Sequence, residues 1–258
     1  MKIKHIQTLM DNYAQEKTAY SWDNSGMQIG ELNEELTGIL LCVDVIDTVI
    51  DEAIEKNCNM IISHHPFMFN AVKNIVTGSK SRLIKKIIKN NLSVYSSHTC
   101  FDMCHGGIND FLAEKFGLKS TKYLEDAEGF DVGMGVIGKV DEISAMDLIE
   151  KSKKVFSCER LRVSNNYIDK QIKKVAICGG SGTSFLQDAY KLGADVIITA
   201  DAKWRDFLWA YEKGILIICP THFESEFCFT EIAKNYLEKH ISGDMIIVSE
   251  AKDTELFI

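Results

Sequence analysis

The sequence predicts an α/β fold of two similar lobes, each built on a mainly parallel sheet, and three observations predict it. Short apolar runs bounded by turn residues alternate with segments of helical period. The alternation of strand and helix occurs twice along the chain. The two halves also end alike, because His98-x3-Asp102 follows the third strand of the first half and His222-x3-Glu226 the third strand of the second. Such alternation covers a mostly parallel sheet with helices, and the shared spacing reads as a duplication.

The first half opens with a buried strand over 38–45, followed by a helix that Asp47 caps and that carries Val49, Ile50, Ala53 and Ile54. A strand at 59–63, a helix at 81–90, a strand at 92–97 and a helix at 107–116 follow. Residues 130–140 alternate like a strand and 144–155 have helical period. The second half repeats the order: a strand at 174–178, a Gly179-Gly180-Ser181-Gly182 turn with a helix through Leu192, a strand at 195–199, a helix at 203–213, a strand at 215–219 and a helix at 227–239. The expected division is a first lobe over 1–125 and a second over 126–258, with the C-terminal segment able to pack on the first.

Composition narrows the function classes. The 258 residues are 46% apolar and 26% charged, ordinary for a globular protein. No apolar run approaches the ~18 residues of a membrane span, and Lys2, Lys4 and His5 break the N-terminus as a secretory signal. With 29 basic and 37 acidic side chains the net charge is −8, which argues against nucleic acid as a partner. A local pocket for an anionic small molecule stays open. The eight cysteines lie mostly in or beside apolar runs, the pattern of buried thiols in a reducing, cytoplasmic setting. Cys100 and Cys104 form a lone C-x3-C, a weak zinc signal.

Five residues carry the candidate chemistry: His64, His65, Asp102, His222 and Glu226. The His-His pair directly follows an apolar strand and precedes Pro66, and the two acids fall just beyond other strand ends. Ligands of open α/β sheets collect at that edge. Imidazole and carboxylate suit first-row divalent metals, and a carboxylate can bridge two ions. Singly, each residue has a plainer reading: a loop His pair, a helix cap at Asp102, a helix start at Glu226. Their conjunction at one sheet edge sets a metal site level with those plainer readings. His98, the counterpart of His222, is a candidate ligand, supporting partner or acid–base group. His105 reads as a loop residue and Glu224 as a solvated charge rather than a base. The glycine turn could present amides to an anion, but it lacks P-loop spacing and reads as a tight turn. Trp204, Phe207, Trp209 and Tyr211 are spaced as packing faces of one helix, for core or oligomer contact.

The runs Ser63-His64-His65-Pro66-Phe67, Ser97-His98-Thr99-Cys100-Phe101-Asp102, Thr199-Ala200-Asp201-Ala202-Lys203-Trp204 and Thr221-His222-Phe223-Glu224-Ser225-Glu226 resemble, in order, the signatures of the NGG-one-interacting-factor-three-like family. Its bacterial members are called GTP cyclohydrolase 1 type 2 homologues. The similarity extends back to Trp22-Asp23-Asn24-Ser25-Gly26. It implies a two-lobed protein with a dinuclear metal site between the lobes, assembled as a ring-shaped homohexamer. It implies His64, His65, Asp102, His222 and Glu226 as ligands of two divalent ions (zinc, iron or manganese). Thr99-Cys100-Phe101-Asp102 stands where members often carry Thr-Asn-Leu-Asp, and Ala200-Asp201 where they carry Gly-Asp; the ligand Asp survives. The chain is short enough to lack the inserted domain of longer members. The family name implies hydrolytic opening of the GTP imidazole ring with release of formate; for that step His98 is a candidate acid–base group, and Lys203 and Arg205 are candidate triphosphate contacts in a sequence that shows no distinct nucleotide pocket. Alternatives are a metal-dependent phosphoester or nucleotide hydrolase, or a hexameric metal- or partner-binding protein without turnover.

Overall fold

A computed structural model describes residues 1–165 and 168–255. They divide into two compact units, the first made of Met1–Cys104 and Phe229–Lys252, the second of His105–Cys228 and the residues from Asp253.

The first unit begins with α1 (Ile3–Tyr13), whose Ile3, Ile6, Leu9 and Met10 form one buried face. Then come β1 (Gly26–Ile29), β2 (Ile39–Cys42), α2 (Asp47–Glu55), β3 (Met60–Ser63), α3 (Ser79–Lys89), β4 (Ser93–Ser96) and the short α4 (Thr99–Met103). The second unit holds α5 (Ile108–Phe116), β5 (Lys119–Asp126), β6 (Gly133–Ser144), α6 (Ala145–Val155), β7 (Arg162–Val163), β8 (Gln171–Ile177), α7 (Leu186–Lys191), β9 (Val196–Ile198), α8 (Trp204–Lys213), β10 (Leu216–Cys219) and α9 (His222–Glu226). The chain passes back to the first unit within α10 (Cys228–Leu237) and adds β11 (Ile246–Val248) there.

The first sheet has the order β1-β4-β3-β2-β11. Its inner strands β2, β3 and β4 run parallel and are buried along their whole length, so none alternates between an apolar and a polar face; β2 is apolar throughout, β3 ends in Ser63, and β4 is bounded by the buried Ser93 and Ser96. Leu40, Ile61 and Val94 pack with Val49, Ile50 and Ala53 of α2 and Ile84 and Ile87 of α3 to make the core. Asp47 does not cap α2 as expected. Ile46 is the N-cap, and the Asp47 carboxylate instead receives Arg82 and Lys86, each at 2.7 Å.

The second sheet, ordered β5-β6-β8-β9-β10-β7, is mixed rather than mainly parallel. Only β8–β9 and β9–β10 are parallel, the stretch where strand and helix do alternate. β5 and β6 are antiparallel neighbours on a contiguous stretch of chain, which needs no helical crossover, and β6–β8 and β10–β7 are antiparallel too. That pairing also moves residues 105–125 into the second unit, ahead of the division expected at 125/126. The return of 229–252 to the first unit follows from β11, which lies parallel to β2 with Ile246 opposite Ile39. On α8, Phe207 and Trp209 pack toward the core beside Ala210, whereas Trp204 is 77% exposed and Tyr211 is exposed. Among the described residues no helix is long and apolar enough to cross a membrane.

Candidate metal centre

In the first unit the sheet ladder continues past its strands. The His64 amide donates to the Cys42 carbonyl at 3.1 Å, the His65 amide to Val43 at 2.9 Å, and the Ser97 amide to Ser63 at 2.9 Å. These bonds fix the backbone of His64 and His65 immediately beyond β3, and bring His98 out of β4 as the N-cap of α4. The three imidazoles gather: His64, His65 and His98 each offer a ring nitrogen within 4.8 Å of the other two. His64 is fully buried, and its Nε2 lies 3.6 Å from Asp102 Oδ1.

Every one of these rings is oriented through Nδ1. His64 Nδ1 bonds the Ser97 carbonyl at 3.0 Å, His65 Nδ1 meets Asp44 at 2.8 Å, and His98 Nδ1 meets Asp23 at 2.8 Å. A carbonyl or ionised carboxylate only accepts, so Nδ1 carries the proton and the neutral ring keeps its lone pair on Nε2. Asp23 is buried, which raises its pKa, but hydrogen bonds from His98, Thr99 and Ser25 outweigh that and hold the carboxyl well below the usual range. It is a fixed negative charge behind His98.

The second unit repeats the device. Thr221 caps α9, its Oγ1 accepting from the Glu224 amide at 3.1 Å while Glu224 accepts from the Thr221 amide at 2.9 Å. Glu224 is thus half of a capping box, neither base nor merely solvated charge. The cap starts the helix at His222, so His222 and Glu226 stand one turn apart on one face, with Nε2 and Oε2 at 3.1 Å. His222 Nδ1 donates to Asp201 at 2.8 Å, and Asp201 holds the uncommon φ of +54° while doing so. A lone pair on His222 Nε2 thereby faces a carboxylate oxygen, an arrangement that a proton or a cation reconciles. Both His-x3-acid pairs have folded as single helical turns, but they are not equivalent: Glu226 meets its own His222, whereas Asp102 meets His64.

The glycine turn is built against this pair. The amides of its three glycines are spoken for within the unit, Gly179 donating to Asn109, Gly180 to Ser225 and Gly182 to Thr199, the bonding of a tight turn rather than an anion cradle. Gly180 has φ +59°, and a Cβ there would fall 2.0 Å from Glu226 Oε1 and 3.2 Å from His222 Nε2. Cys100 is no ligand by geometry: its thiol sits 3.5 Å from both Ser25 and Ser97, and burial pushes it up to about 11. Cys104 bonds the Phe101 carbonyl. His105 is an exposed loop residue beside Tyr123 and Asp110. Lys203 is the N-cap of α8 and Arg205 is exposed in its first turn, two and four residues past Asp201.

Sequence reasoning missed Asp23, Asp44 and Asp201 as orienting groups. Asp44 and Asp201 did carry a signal, since each stands just past a strand end, as His64 does. The donor set of neutral imidazoles and carboxylates fits zinc, iron(II) or manganese, and the acceptors behind the imidazoles are the partners that metal-bound histidines use.

The fold and the oriented imidazoles define an α/β protein with candidate metal-binding histidine and carboxylate sets at its strand ends. The family model described as Duf34/NIF3 (NGG1p interacting factor 3) matches residues 1–254, and the chain belongs to that family. A Clostridium perfringens relative named GTP cyclohydrolase 1 type 2 homolog is 32% identical, with the alignment covering 100% of both chains. Among solved structures, a Staphylococcus aureus hypothetical protein superposes with a TM-score of 0.89 at 29% identity, covering 100% of this chain and 99% of that one. Reduced HcgD from Methanocaldococcus jannaschii gives 0.86 at 27% identity, covering 97% and 98%.

Proposed function

We propose that this chain is a dinuclear-metal-dependent hydrolase that opens the imidazole ring of GTP and releases formate, with His64, His65, Asp102, His222 and Glu226 holding two divalent ions. The observation that carries the reading is the common orientation of the imidazoles, Nδ1 bonded to Ser97, Asp44, Asp23 and Asp201 in turn. The names of the curated relatives supply the substrate class. Zinc, iron or manganese bound there supplies Lewis acidity, which makes water a competent nucleophile near neutral pH.

The protein's own part is orientation and proton handling. The bond to Asp23 leaves His98 Nε2 to take a proton from the attacking water and return it to the ring nitrogen that departs when the carbon between the two ring nitrogens is attacked; the formamide so formed releases formate when a second water cleaves its remaining carbon–nitrogen bond. Asp201 and the Thr221 cap hold His222 and Glu226 in one geometry. Lys203 and Arg205 are exposed cations for the triphosphate. A homohexamer in a reducing cytoplasm belongs to the same reading, and the eight cysteines are free thiols.

The test is formate release from GTP by protein loaded in turn with manganese, iron and zinc. Release that is lost in a folded His222→Ala variant supports the reading. No formate with any metal overturns ring opening, and phosphate released instead from phosphoesters transfers the site to phosphoryl chemistry.

A further inference from the structure

Two large aromatic side chains stand in water beside the histidines of the first unit. Trp22 is 57% exposed and Phe69 52%. Their ring centres are 6.0 Å apart and tilted by 49°. Each presents itself nearly edge-on to His98, at 6.0 and 6.2 Å, both at 72°. Tyr20 stacks behind Trp22 at 5.4 Å and 20°, and His98 in turn lies 5.5 Å from His65.

These rings are anchored. The Tyr20 amide donates to Thr99 Oγ1 at 3.1 Å, and Asp23, next to Trp22, accepts from His98 and from the Thr99 amide. Asn24 Nδ2 donates to the Met68 carbonyl at 2.7 Å, and the buried Gln28 Oε1 receives both Asn24 Nδ2 at 3.2 Å and the Met68 amide at 3.1 Å. The segment bearing Trp22 and the segment bearing Phe69 are therefore tied to one another by side-chain amide hydrogen bonds. Exposed aromatics held this firmly, their centres and that of His98 at the corners of a near-equilateral triangle, make an apolar ledge with a polar imidazole at its side. A flat heterocycle uses both features, because stacking satisfies its faces while its ring nitrogens reach imidazole. An aliphatic partner would use only the apolar surface.

We propose that the exposed ring of Trp22, backed by Tyr20 and flanked by Phe69, is a stacking platform for a planar nitrogen heterocycle of the purine type, holding its edge toward His98 and His65. This deepens the hydrolase reading and rests on it for the choice of ring, but platform binding needs no metal.

Calorimetric titration of the full chain with guanosine, adenosine and inorganic triphosphate, with and without chelator, tests it. Guanosine is expected to bind in both conditions. Trp22→Ala should weaken it by about tenfold or more and Trp22→Phe by no more than about threefold, with triphosphate unaffected. Metal content measured on each variant should be unchanged. Guanosine bound equally well by Trp22→Ala, or not bound by the unmodified protein, overturns the platform. So does a Trp22→Ala variant that changes oligomeric mass by light scattering without changing guanosine affinity, since a second copy would then be the occupant. Intact guanosine binding without formate release overturns the hydrolase reading alone.

Discussion

Replacing Gly180 with alanine adds one methyl group at the point where the glycine turn touches Glu226. Two penalties follow from the structure. The first is backbone: φ is +59°, and an L-residue there costs about 1–2 kcal/mol. The second is contact, because the new Cβ would lie 2.0 Å from Glu226 Oε1. Reaching an ordinary separation of ~3.5 Å requires the carboxylate to withdraw by roughly 1.5 Å, well beyond the ~0.5 Å within which a functional group keeps its productive geometry. His222 Nε2, at 3.2 Å, is crowded as well. Gly193 isolates the first penalty, since its φ is +78° and nothing lies within 4 Å of a Cβ built there. Urea unfolding in chelator and metal titration of the two variants separate the effects. Gly193→Ala should lose about 1–2 kcal/mol with metal affinity unchanged. Gly180→Ala should lose more and bind metal at least tenfold more weakly. Equal stability loss and equal metal affinity in the two variants would refute the claim that this turn fixes Glu226.

With Glu226 taken as the carboxylate shared by the two proposed ions, Glu226→Gln, which keeps shape but removes charge, should lower occupancy of both, whereas His64→Ala should weaken mainly one; elemental analysis of the purified variants reads the stoichiometry, and two ions retained at wild-type affinity in Glu226→Gln would move the bridge to Asp102. Asp195 accepts from the amides of Lys173 and Lys174 at 2.9 and 3.0 Å and pairs with Lys170 at 3.0 Å. Burial raises its pKa, but these bonds outweigh that and depress it. Its stabilisation is thus present above the unfolded carboxyl value, near pH 4, and is lost as pH falls further. Asp195→Ala should cost about 2 kcal/mol at pH 7, with the gap to wild type narrowing in urea midpoints measured at successively lower pH.

What could be read from the sequence divides along physical lines. β2, β3, β9 and β10 were legible because a strand buried on both faces leaves a largely continuous apolar run, whereas β4 and β8 offered only the shorter stretches Val94-Tyr95 and Val175-Ala176-Ile177. β5 was not, because Lys119-Ser120-Thr121-Lys122-Tyr123-Leu124-Glu125-Asp126 is mostly exposed and has no apolar face to announce it. β11 has three residues and takes its meaning from β2, about two hundred positions earlier in the chain. The five candidate ligands were legible as unusual residues past strand ends. The carboxylates that aim their rings were not, since Asp23 reaches His98 across 75 positions and Asp44 and Asp201 reach theirs across 21. Short-range pattern finds the donors, whereas their orientation is a product of tertiary contact.

The discontinuity of the first unit sets an order of assembly during synthesis. Its sheet opens with β1 and is closed by β11, yet the whole six-stranded sheet of the second unit is encoded between them. A ribosome therefore delivers every strand of the second sheet before it delivers the last strand of the first. Until then β2 has an open edge, the kind of unpaired backbone that invites wrong partners, and its correct partner comes at the highest sequence separation in the sheet, where loop closure is slowest. The sheet begun first is finished last, and Ile246–Val248 acts as its latch, arriving after every strand of the second sheet has been made.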